Sequence, residues 1–185
     1  MKPSIEWEVR PGFCLYLAFV LLLLPLRWLL AALAAGALHE TGHLLALSFL
    51  RLPVRSIHLE AAGARILAGP GTEKQELFCA AAGPLTGFLV SLLFPWFPRL
   101  AFCAFCQAVF NLLPLMPFDG GRVLRCGVIL IFGKGRGARI FNMTERIFCM
   151  LLLALGVFVA QISWILPVVS AIIIVRCVKN RENIV

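Results

Sequence analysis

Apolar runs separated by short polar stretches organise this chain. Residues 13–24 form a first run, stopped at Pro25-Leu26-Arg27, and residues 28–50 form a second. From 51 to 75 the chain turns more polar. Val54-Arg55-Ser56-Ile57-His58-Leu59 alternates with period two, small residues follow, and Arg65-Ile66-Leu67 repeats the alternation, which predicts a β-hairpin or short sheet. Residues 76–95 predict a third helix ending at Pro95-Trp96-Phe97-Pro98-Arg99, and 100–117 a shorter fourth. Residues 118–145 read as a mixed region, with an amphipathic stretch at 121–132 and then a basic loop, Gly133-Lys134-Gly135-Arg136-Gly137-Ala138-Arg139. Residues 146–160 and 162–177 predict a fifth and a sixth helix, divided near Gln161-Ile162-Ser163-Trp164, and the tail from Lys179 is polar. No internal repeat stands out.

Composition turns these runs into membrane spans. The chain has 185 residues, 61% hydrophobic and 14% charged, whereas a soluble domain averages about 45–50% apolar and about 25% charged. Backbone groups in lipid must be satisfied within their own segment, and no barrel-like alternation runs along the chain. The expectation is an all-α membrane protein, one domain over residues 1–185, with about six transmembrane helices. A small β segment would lie at the membrane surface between the second and third helices. Six spans leave both termini on one side. Of seventeen Lys and Arg residues only Arg27 and Arg99 fall on the other side, so the termini are expected in the cytoplasm. The net charge of +8 therefore reflects topology and not a nucleic-acid partner. An apolar start with Lys2, Arg10 and small residues from Ala31 to Ala37 suits a cleaved signal peptide, yet cleavage there would cut the second run, so it reads as uncleaved. The seven cysteines are scattered through apolar runs and read as small buried hydrophobes.

Chemistry enters at Leu38-His39-Glu40-Thr41-Gly42-His43-Leu44, in the middle of a run of Leu and Ala. On a helix, His39 and His43 lie about one turn apart on one face, where both rings reach a single metal ion. Glu40 stands beside that ion in the position of a zinc hydrolase's general base. An ionisable group at mid-bilayer costs about 2.5–3.5 kcal/mol by insertion scales, so it marks function. A catalytic zinc needs a third protein ligand and an open position. The candidates are Glu60, Glu73, Glu76, Glu145 and Asp119. Asp119, the only aspartate, follows Pro114 and Pro117, which break the fourth helix, and precedes Gly120-Gly121, which permit a sharp turn that aims the carboxylate inward.

These motifs make the chain resemble the site-2 proteases, intramembrane zinc metalloproteases. Three signatures occur in order: His-Glu-x-x-His at His39 to His43, Gly-x-x-x-Gly at Gly83 to Gly87, and Asn-x-x-Pro-x-x-x-x-Asp-Gly from Asn111 through Pro114 to Asp119-Gly120. The resemblance covers roughly residues 36–122 and implies that His39, His43 and Asp119 bind Zn2+ while Glu40 activates water. It implies too that Asn111 holds the substrate or polarises its carbonyl. Many members carry Asn where this chain has Gly87, so no side-chain contact is expected there. Family members often carry PDZ or CBS domains, for which this chain has no room. The layout is most similar to the compact stage IV sporulation protein FB group, which processes a membrane-associated sigma-factor precursor. The partners so implied are a transmembrane or membrane-associated protein substrate, the lipid bilayer of a bacterial cell, and a regulatory membrane protein.

Other features receive plainer readings. His58, alternating with apolar residues, reads as a satisfied surface histidine. Cys103 and Cys106 read as apolar filler, and the Gly83 to Gly87 spacing chiefly as a helix-packing device. The glycine-basic segment at 133–137 lacks a phosphate-loop pattern. Proteases bind extended peptides, so the edge of the 54–67 strand segment, with Ile57 and Leu59, is expected to pair with an unwound substrate helix. Rival functions are a catalytically silent membrane scaffold or escort, which has no need of Glu40, and a membrane zinc hydrolase of a small substrate. A zinc transporter would need a polar path that spans one, five and six lack.

Overall fold

The computed structural model describes residues 6–60 and 63–160. The elements run in the order β1 (Glu6–Val9), α1 (Pro11–Leu23), α2 (Leu26–Phe49), β2 (Val54–Glu60), β3 (Gly63–Ala68), α3 (Glu73–Ser91), α4 (Pro98–Asn111) and α5 (Asp119–Ala160). The chain is mostly helical with one small sheet, and it divides into two compact units that meet in sequence between Phe110 and Asn111. The expected sixth span, 162–177, lies outside the described residues.

In the first unit, proline and side-chain caps set the helix ends. Pro11 occupies the first turn of α1, where its missing N–H costs nothing, and Pro25 separates α1 from α2. Thr72 opens α3 through a reciprocal cap. Its hydroxyl accepts from the Gln75 N–H at 3.4 Å, and the Gln75 Oε1 accepts from the Thr72 N–H at 2.9 Å. Among the described residues α2, with 24 residues, is the helix both long and apolar enough to cross a bilayer. The apolar α1 is shorter, at 13 residues.

Small residues let these helices touch. A β-carbon on Gly42 would come within 2.7 Å of the Ala82 carbonyl, and one on Gly87 within 2.8 Å of the Ala108 β-carbon. Contacts pass from Gly42 with Thr86 and Ala82 to Leu47 with Cys79, so α2 and α3 are antiparallel. Trp28 meets Phe102 edge-on at 6.0 Å, and Gly36 lies beside the Gln107 carboxamide, so α4 runs parallel to α2. The far end of α2 packs on the sheet, where Ala46, Leu47 and Cys79 form a core with Leu50, Leu52, Val54 and Ile66.

The expected hairpin is present as β2 and β3, antiparallel with Ile57 opposite Ile66. The sheet gains a third strand, β1, parallel to β2 with Trp7 opposite Ile57 and Val9 opposite Leu59. Four residues are too few for a period-two signal to stand out. This strand corrects the expected role of Ile57 and Leu59. The order is β1-β2-β3, so both hydrogen-bonding edges of β2 are filled at those positions. Among the described residues, the outer edges of β1 and β3 are the ones left for an added peptide strand.

The second unit corrects the reading of residues 118–145. From Asp119 on they are helical except at Gly133, and the basic segment from Lys134 is part of α5. The helix breaks only at Gly133, whose φ of 78° suits glycine. Beyond the break the chain doubles back. A β-carbon on Gly137 would lie 2.6 Å from the Ile129 Cα, whereas eight residues of straight helix span about 12 Å. Thus α5 is two arms, 119–132 and 134–160, and the second begins with exposed Lys134, Arg136 and Arg139.

Candidate metal centre

The local physics of α2 brings the two histidines together. Four residues apart, their side chains leave the helix on one face, and both are buried, at 3% and 8% exposure. The rings meet edge to face with centroids 4.9 Å apart, and the two Nε2 atoms lie 3.3 Å from each other. Two nitrogens held at about 2.0–2.1 Å by one tetrahedral zinc are separated by roughly 3.3–3.4 Å. The spacing therefore suits a shared ion.

The protonation pattern also suits it. His43 Nδ1 lies 2.7 Å from the carbonyl oxygen of Cys79 on α3. A carbonyl only accepts, so the proton sits on Nδ1 and Nε2 keeps its lone pair, the usual arrangement for a metal-binding imidazole. Gly83, one turn along α3 from Cys79, faces both rings. A β-carbon there would lie 2.8 Å from His39 Nε2 and closer still to His43 Nε2. The space over the two Nε2 atoms stays open because residue 83 has no side chain. The two glycines of the Gly-x-x-x-Gly motif thus do different things. Gly87 lets α3 and α4 approach, while Gly83 clears the imidazole nitrogens.

Glu40 follows His39 on α2 and is half-buried. Gln107 on α4 lies across Gly36, one turn before Glu40, and Asn111 stands one turn beyond Gln107 at the end of α4. Polar residues at 107 and 111, on a helix that is apolar from Leu100 to Cys106, were a signal available in the sequence. Only Asn111 carried a motif.

In the second unit Asp119 is the first residue of α5, 7% exposed, with Arg122 Nη1 3.9 Å from its Oδ1. The loop before it turns through a cis Met116–Pro117 peptide and is pressed against the start of α5. A β-carbon on Gly120 would lie 2.7 Å from the Leu112 Cα, and one on Gly121 2.8 Å from the Met116 nitrogen. Both glycines are helical, so their role is close backbone approach and not the sharp turn that the sequence suggested.

The remaining candidates are placed elsewhere. Glu73 and Glu76 lie in the first turn of α3, where acidic groups complement the helix terminus. Glu145 is buried in the second arm of α5 and accepts from the Met116 N–H at 3.2 Å. His58 is held in the sheet, 2.6 Å from Glu8 Oε2 and 2.9 Å from Ser56 Oγ. Cys103 and Cys106 sit one turn apart on α4, half-buried and exposed. Ile57 is buried and Leu59 half-buried within β2.

The chain is similar in structure to the site-2 protease from Methanocaldococcus jannaschii, with a TM-score of 0.71 over 95% of this chain and 90% of that one, at 21% identity. It has the fold of that site-2 protease. No protein-family profile matches the chain, and no curated protein does.

Proposed function

We propose that this chain is an intramembrane zinc endopeptidase, a single domain formed from both units. The observation that carries the reading is the convergence of the His39 and His43 Nε2 atoms, 3.3 Å apart, over Gly83, with Glu40 beside His39 in the chain, in a site-2 protease fold. His39 Nε2, His43 Nε2 and the Asp119 carboxylate are the zinc ligands. Two imidazoles and one carboxylate are a common catalytic donor set, and three protein ligands leave a position open. Bound there, zinc supplies Lewis acidity, which polarises the scissile carbonyl and brings the pKa of water near 7.

The protein's own groups do the rest. Glu40 takes a proton from the attacking water and hands it to the amine nitrogen as the peptide bond breaks. The Asn111 carboxamide hydrogen-bonds the substrate beside the scissile bond. The substrate helix unwinds, because a helical peptide bond is hidden by its own hydrogen bonding, and the free edge of β3 receives it as an added strand. Six spans with both termini in the cytoplasm complete the architecture. The substrate is a transmembrane or membrane-associated protein of a bacterial cell, of the sigma-factor-precursor or anti-sigma type that the sporulation branch handles.

The test is co-expression with a panel of single-pass and sigma-factor-like substrates. Wild type is expected to cleave one or more of them, and Glu40→Gln to keep stoichiometric zinc while losing about 10²–10⁴-fold in rate. Equal cleavage by both proteins, or purified wild type without zinc, overturns the reading.

A further inference from the structure

Glu145 is a buried carboxylate, 7% exposed, to which the chemistry above gives no task. Burying a carboxylate is costly unless it is hydrogen-bonded. A leucine at 145 would fill the space without that cost, but it would offer no acceptor. The carboxylate accepts from the backbone N–H of Met116, 29 residues earlier in the chain.

That N–H belongs to the loop that delivers Asp119. Pro114 and Pro117 have no N–H to give. The N–H groups of Leu115 and Phe118 turn inward, to the carbonyls of Leu113 and Leu115. The bond from Met116 instead ties the loop to the second arm of α5, three residues before Asp119. The loop also rests against Gly120 and Gly121. The reversal at Gly133 is what carries residue 145 back to this place.

We infer that Glu145 is a positioning residue for Asp119: by accepting from Met116 it pins the loop and so sets where the Asp119 carboxylate points. The inference rests on the reading of Asp119 as a zinc ligand. Groups that orient a metal ligand typically change metal affinity 10–100-fold when removed.

Zinc affinity of the full-length protein, measured by chelator competition, tests this. Glu145→Leu is expected to weaken zinc binding about 10–100-fold and to speed amide exchange at Met116. Glu145→Gln, whose amide oxygen still accepts, should stay within about threefold of wild type. Saturating zinc should restore cleavage to Glu145→Leu, which it would not do for a general folding defect. If Glu145→Leu does not fold, Glu145→Met carries the same expectation. Wild-type affinity in the Leu variant, or equal loss in the Leu and Gln variants, overturns the inference while Asp119→Ala still abolishes tight binding. Should Asp119→Ala bind zinc as wild type does, the ligand reading falls, and this inference with it.

Discussion

His39 and His43 sit within a 24-residue helix whose own periodicity lays their rings together, whereas Asp119 stands at the first residue of a helix reached through a proline-broken loop. The histidine pair needs little from afar: one carbonyl at Cys79 to set a tautomer and one absent side chain at Gly83. The aspartate depends on backbone pressed against glycines and on the hydrogen bond that the Met116 N–H donates to Glu145, 29 positions along the chain. A side-chain pair on one helix is robust to small shifts, because both members move together. A side chain delivered by a loop keeps its aim only while every brace holds.

The largest expected effect breaks the robust side. Gly83→Val places methyl groups over both Nε2 atoms, and purified protein should carry almost no zinc by elemental analysis; full occupancy would show that Gly83 does not frame the ion. A smaller effect is expected on the loop side. Gly121→Ala drives a methyl against the Met116 nitrogen, an overpacking cost of about 1–3 kcal/mol. The melting temperature should fall, and zinc should bind on the order of tenfold more weakly, within the range for groups that orient a ligand. An unchanged zinc affinity would mean that the loop carries no aim. The smallest effect lies away from both. Thr72→Ala removes the cap of α3 and should cost about 1 kcal/mol of stability with zinc content and cleavage unchanged. A loss of zinc in that variant would make the platform more fragile than its packing suggests.

The histidine motif, the helix that bears it and the β2–β3 hairpin were legible because each is local. Periods of 3.6 and 2 are properties of neighbouring residues, and a polar pair in an apolar run stands out at once. The strand β1 was not legible, since four residues that pair with a strand some fifty positions later leave no local trace. That pairing closes the edge on which Ile57 and Leu59 were expected to work. The basic segment at 133–139 looked like a loop because glycine and charge are turn signals. It is helical because a single positive φ at Gly133 absorbs the reversal and frees its neighbours to continue.

The roles of the glycines divide the same way. Their spacing at 83 and 87 could be read along the chain, but which one clears a histidine and which one seats a helix depends on what lies opposite. Composition and periodicity were enough to place two imidazoles on one helix face with a carboxylate beside them in the chain, because covalent neighbours and helix geometry dictate it. What lies above those nitrogens, which strand edge is free and what holds the Asp119 loop came from chain folding alone. Contacts between residues 29, 40 or 50 positions apart are governed by packing and by where buried hydrogen bonds find partners, and no local pattern encodes either.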